Sequence, residues 1–284
     1  MTTVDTALDM DHLRGWIGRE SVVAEQLTTD IVRKFNATFG LDDAQPTEGD
    51  LAPLLIQFCL GQPAIAAAGL GQDGHPAKGG FLPPIPLPRR MWAGGAVVHD
   101  GALKVGQTVT RRSVIEDVTH KSGRSGELCF VTVGHSYDGG EGVVIRETQD
   151  IVYRGAGGPG AATTADAPAP RGSVCESIDP TPTLLFRYSA LTFNGHRIHY
   201  DKPYAMEVEG YPGLVVHGPM QATLLMQLAT TIKGAPPRSF RFKSRSPLFD
   251  GTPMLINADQ DGDGLRLWTA RPDGPAAMIA EASW

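Results

Sequence analysis

A chain of 284 residues, 41% apolar and 20% charged, has the make-up of an ordinary globular protein, long enough for one large domain or two smaller ones. Its formal charge of −6 and isoelectric point near 5.7 argue against a nucleic-acid binder, which carries a basic stripe. The opening MTTVDTALDMDHLRGW is acidic and lacks an apolar core, and no run of about eighteen apolar residues occurs, so neither a secretory signal nor a membrane span is expected. In chain order, LAPLLIQFCLGQPAIAAAGL (51–70) is apolar enough for a buried helix, but Gly61 and Pro63 interrupt it. GGFLPPIPLPRR (79–90) reads as a proline-stiffened loop ending in Arg89 and Arg90. VTRRSVIEDVTHK, GELCFVTVGHSYD and GVVIRETQDIVYR are β-branched runs separated by Gly- and Asp-rich turns, which predicts three strands.

Residues 154–173 are rich in Pro, Gly and Ala without periodicity, the composition of a linker or surface crossover. The GAGGPG within it opens no helix, so it is not a dinucleotide-binding loop. Beyond it, Leu184, Leu185 and Phe186 read as the start of an apolar strand, and a short aromatic helix is expected after SALTFNGHRIHYDKPYA (189–205). The clearest helix is GPMQATLLMQLATTIKG (218–234): Pro219 suits its first turn, Gly234 stops it, and its nearly continuous apolar surface requires burial. RSFRFKSRS, PMLINADQ, LRLWTAR and AAMIAEASW follow as strands. DQDGDG (259–264) imitates a calcium loop, but Ala270 occupies the twelfth position, so a hairpin turn is expected.

The two halves echo one another in the same order: FNATFG with YSALTFN, LKVGQTV with LFDGTPM, VIRET with MIAEA. A duplicated module follows, with an N-terminal domain over 1–154, a linker over 155–172 and a C-terminal domain over 173–284. A helix followed by an antiparallel meander that wraps it describes a hot-dog module. The expected fold is therefore α+β, a double hot dog.

Asn194, His196 and His199 fall within six residues, and His217 returns just before the long helix. Metal binding, proton transfer and core packing are the three uses of such a cluster; with no cysteine nearby, a metal site is the least favoured. The helix mouth adds a second element: unpaired N–H groups around Gly218, aligned with the helix dipole, suit an oxyanion or enolate.

YSALTFNGHRIHYDKPYA with GYPGLVVHGP resembles the MaoC-like (R)-specific enoyl-CoA hydratases. Tyr188, Thr192, Ile198, His199 and His217–Gly218 stand at the places of their signature, while Asn194 replaces its Asp, His196 its Asn and Arg197 its Pro. GWIGRE, GHPAKGGFLPPIPLPRRMWAGG and GRSGELCFVTV are similar to the FAS1-like dehydratase branch that includes mesaconyl-C4-CoA (itaconyl-CoA) hydratases. The resemblance implies addition of water to a 2-enoyl-CoA, with His199 exchanging the proton, Asn194 orienting the water and the Gly218 N–H polarising the thioester carbonyl. It further implies one site per chain, since Gly40 and Gln45 stand where the first half's counterparts of Asn194 and His199 would fall.

His196 and His217, with Arg90, Arg241 and Arg245, are the candidates for substrate contact, the arginines toward a carboxylate or coenzyme phosphate. No metal or separate cofactor is expected, coenzyme A being part of the substrate. An acyl-CoA substrate, no nucleic acid, no membrane and a homodimer or higher homo-oligomer are the expected associations. The odd number of cysteines (Cys59, Cys129, Cys175) suits reduced thiols in the cytoplasm. A hot-dog thioesterase and a catalytically silent thioester-binding subunit are the rival readings.

Overall fold

The computed structural model describes residues 8–41, 45–123, 126–155 and 167–284. The first half contains α1 (Met10–Arg14), β1 (Glu20–Gln26) and α2 (Thr29–Phe39), then β2 (Arg89–His99), β3 (Thr108–Gly123), β4 (Gly126–Asp138) and β5 (Val143–Arg154). The second contains β6 (Val174–Ile178), α3 (Pro182–Leu191), α4 (Gly218–Lys233), β7 (Ser239–Ser244), β8 (Met254–Asp261), β9 (Gly264–Ala270) and β10 (Ala276–Ser283). All ten strands form one antiparallel sheet in the order β1-β3-β4-β5-β2-β7-β10-β9-β8-β6. Exchanging each strand for its counterpart in the other half reverses this order and leaves it unchanged. The seam is the pairing of β2 with β7, from Gly94–Lys243 to Val98–Ser239. This is a double hot dog.

The sheet wraps α4, whose Met220, Leu224, Leu225, Met226 and Leu228 are all buried, as its unbroken apolar surface requires. Gly234, at φ 69°, ends it in the left-handed conformation. Among the described residues the first half has no such helix. Leu55 and Gly61 both adopt positive φ, and only two 3-10 turns form, Ile56–Cys59 and Ala67–Gly69. The proline-rich loop is partly interior: Ile85 is fully buried in a second, smaller core with Leu13, Ile115, Val118, Cys129, Val131, Val133 and Tyr153.

The seven strands expected from alternation are present, and the DQDGDG segment is the β8–β9 hairpin turn. The strand expected at 184–186 is instead the interior of α3. Thr181 accepts a hydrogen bond from the Leu184 N–H, Pro182 occupies the first turn, and Leu185 and Tyr188 share a buried face while Phe186 is exposed. α2, whose N-cap is Thr28, packs against α3, with Phe39 edge-on to Tyr188. The echo of FNATFG with YSALTFN thus marks the ends of two equivalent helices. Of the expected linker, residues 156–166, with most of GAGGPG, lie outside the described residues. None of the described helices is long and apolar enough to cross a membrane.

Candidate active site

Beyond α3 the chain turns sharply. Phe193 takes a positive φ of 48°, the Asn194 N–H donates to Ser189 O, and Asn194 Oδ1 accepts from the His196 N–H at 3.0 Å. A 3-10 turn, Arg197–His199, then presents His199, which is only 8% exposed. Its Nδ1 lies 2.7 Å from Val215 O, and a carbonyl can only accept. Nδ1 therefore carries the proton, and Nε2 is left with a lone pair. Burial lowers the pKa of this ring to about 4, opposed by the bond to Val215 and reinforced by His75. The residue is a neutral imidazole with one basic nitrogen.

His217, the residue before α4, stacks on His199 at 3.7 Å between centroids. Its Nε2 lies 2.8 Å from Ser189 Oγ, while its buried Nδ1 has no partner. His196 stands edge-on to His199 at 5.4 Å. Burial, with the neighbouring imidazoles, holds His196 and His217 well below the ordinary histidine range. Gly218 opens α4, where the first N–H groups have no intrahelical acceptor. A Cβ there would lie 2.7 Å from Trp92 Cε3, so any larger residue must displace the helix start or the indole, which itself stacks on Phe242.

His199 and Gly218 border one cavity of about 980 Å³, shared with Asn194, His196 and His217. Lys78, Arg90, Arg111, Arg154 and Arg245 also line it, and no Asp or Glu does among the described residues. Five cations and no acid suit an anionic ligand. The cavity extends into the first half, where Arg111, Tyr137 and Gln149 of the sheet and Phe58 of the Ile56–Cys59 turn line it.

Of the expected contacts, Arg90 and Arg245 border the cavity, but Arg241 does not. Alternation along β7 turns Phe240 and Phe242 inward and Arg241 and Lys243 outward, so Arg241 faces away from the cavity, contrary to expectation. Along β3 the same alternation sends Arg112 out to Glu20 and Arg111 inward to Leu60 O and Gly61 O.

The sequence reading also missed Asp73 and His75 in the first half. The signal was an Asp two residues before a His in GQDGHPAKGG, but nothing local brings that loop to the second half's cluster. Asp73, His75 and His196 are of metal-ligating type, with one donor atom each within 4.8 Å of the others. Asp73 Oδ2 already engages His75 Nδ1 at 2.8 Å, so the group forms a hydrogen-bonded couple beside a third ring.

A neutral imidazole with one basic nitrogen and a helix N-terminus thus border one cavity whose charged lining residues, among the described residues, are all cations. Residues 56–250 match the family model of hydroxyacyl-thioester dehydratase type 2, and the chain belongs to that family, a hydro-lyase. Mesaconyl-C(4)-CoA hydratase of Chloroflexus aurantiacus is 45% identical over 266 residues, 93% of this chain and 95% of that protein. Among solved structures, a MaoC-like dehydratase from Phytophthora capsici superposes with a TM-score of 0.70 at 16% identity, covering 98% of this chain and 99% of that one. A Mycobacterium tuberculosis protein described as a double hot dog does so at 0.58 and 15% identity, over 94% and 95% of the two chains.

Proposed function

We propose that the chain hydrates, reversibly, a branched C5 dicarboxylyl thioester of coenzyme A of the mesaconyl-C4 or itaconyl kind. The observation that carries the mechanism is the tautomer of His199: its Nδ1–H is spent on Val215 O, so Nε2 can take a proton inside the cavity that Gly218 borders. A water oriented by Asn194 adds through its oxygen to Cβ and gives its proton to His199 Nε2. The alkene electron pair moves onto the thioester, whose oxygen is met by the N–H groups at the start of α4. His199 then returns the proton to Cα, so the enzyme ends as it began. Losing one such oxyanion donor costs on the order of 3 kcal/mol in the barrier. The dicarboxylyl substrate is supported by a cavity whose charged lining residues, among the described residues, are all cations, and by the 45% identity to a mesaconyl-C(4)-CoA hydratase.

In this reading residues 173–284 carry the base and the oxyanion site, 155–172 link the halves, and 1–154 widen the groove for the acyl and pantetheine arms. Arg90 and Arg245 meet the substrate carboxylate or coenzyme phosphates. We also place the protein in the cytoplasm, which its unpaired Cys59, Cys129 and Cys175 suit, and as a homo-oligomer, to be checked by light scattering.

The test is an ultraviolet enoyl-thioester assay across crotonyl-, mesaconyl-C4- and itaconyl-CoA. Loss of the enoyl absorbance without release of thiol is expected, fastest with a dicarboxylyl substrate. Thiol release would establish a thioesterase, and binding without turnover a silent thioester carrier.

A further inference from the structure

Residues 70–76 form a tight loop on the first half: Leu70 bridges Pro76, and the Gly71 N–H donates to His75 O. The loop is fastened to the segment that follows α3. The Arg197 N–H donates to Asp73 O at 2.9 Å, and Arg197 Nη1 donates to Gln72 O at 3.1 Å. Gly74, at φ 86°, meets Gly195 backbone to backbone; a Cβ on Gly74 would sit 1.9 Å from Gly195 O. So close an approach fixes one loop on the other.

What this docking delivers is His75. Asp73 Oδ1 accepts the His75 N–H at 3.0 Å and Oδ2 faces Nδ1 at 2.8 Å; burial pushes the carboxylate up, but these bonds and the neighbouring imidazoles outweigh it and hold it well below its ordinary range. The His75 ring lies 4.0 Å from that of His196, and His196 stands edge-on to His199. Asp73 acts on both His75 and His196; Arg90 opposes it at both, and Glu209 adds to it at His75. Asn194, in the segment itself, can carry no charge.

We infer that Asp73 and His75 are positioning residues for hydration: through His75 and His196, Asp73 supplies from the first half the negative charge that Asn194 does not. The inference rests on His199 being the base. When His199 takes the water's proton, positive charge appears among imidazoles that burial keeps neutral, and a fixed carboxylate at the end of the row lowers the cost of that imidazolium. The proton still returns from His199 to Cα, and none is required on Asp73. Asp73 is hydrogen-bonded to His75 and not to the base, so its action on His199 is electrostatic, relayed across the ring contacts of His75 with His196 and of His196 with His199.

The experiment compares Asp73→Asn and His75→Gln in the full chain with the best dicarboxylyl thioester. On the scale of acid–base contributions, kcat is expected to fall roughly 10- to 100-fold with KM within about threefold. The acid limb of the kcat profile is expected to move to lower pH, because without Asp73 the rings are harder to protonate. Adding Asn194→Asp to Asp73→Asn is expected to restore activity about fivefold or more, a rescue that repair of packing would not give. An unchanged pH profile with kcat within about twofold, or a loss with no rescue, would overturn the inference. So would activity lost to a chelator and restored by zinc. Failure of the underlying reading looks different: full turnover by folded His199→Ala.

Discussion

Among single residues, His199 has the most to reveal through pH. Its ring titrates at about 4 in the fold against about 6.5 in an unfolded chain. The base form therefore prevails across the neutral range, and kcat/KM should be flat there and fall only as pH drops toward 4. Between pH 6.5 and 4 the unfolded state binds the extra proton, so this contribution to stability is complete above 6.5 and is lost as pH falls through that window. A gap of about 2.5 units corresponds to roughly 3 kcal/mol, enough to measure. A pH series of melting temperatures should fall on acidification for the wild type and less steeply for His199→Gln. The local part of this site was legible in the sequence, because Asn194, His196 and His199 share one short segment. Asp73 and His75 were not legible, because their place depends on a loop docking that no periodicity encodes.

Between elements, the decisive contact is the start of α4 against β2. The helix and its burial could be read from an apolar surface without a polar face, whereas β2 could not: RRMWAGGAVVH mixes glycines and a bulge at Trp92–Gly94 into its alternation. α3 was mistaken for a strand because three adjacent apolar residues fit either period, and only the Thr181 cap decides between them. At Gly218 a methyl group would meet Trp92 Cε3 at 2.7 Å, and the indole, stacked on Phe242, has little room to yield. Gly218→Ala should therefore displace the helix start or the indole, destabilise by about 1–3 kcal/mol and lower kcat about tenfold or more. Melting curves and initial rates on one preparation check both effects. Loss of stability with full kcat would remove the helix mouth from the chemistry.

For the molecule as a whole, duplication was legible as an ordered set of faint echoes, and the mirrored strand order gives it a physical form. What the echoes could not convey is how far the second half relies on the first. Residues 173–284 contain Asn194, His196, His199, His217 and Gly218, but β7 is hydrogen-bonded on one side to β2, and Phe242 stacks on Trp92. Removing residues 1–154 would turn β7 into an open edge and expose the Phe242 ring, a template for aggregation. It would also remove the Asp73–His75 couple and the first half's wall of the cavity. A fragment of 173–284 expressed alone should therefore be aggregated or devoid of hydratase activity, although every residue assigned to proton transfer and oxyanion binding is present. Co-expression with 1–154 should recover a soluble, active complex, since the β2–β7 ladder and the Trp92–Phe242 stack need no covalent link across the seam. A soluble fragment of 173–284 turning over at the full rate would show that the first half adds nothing to the chemistry.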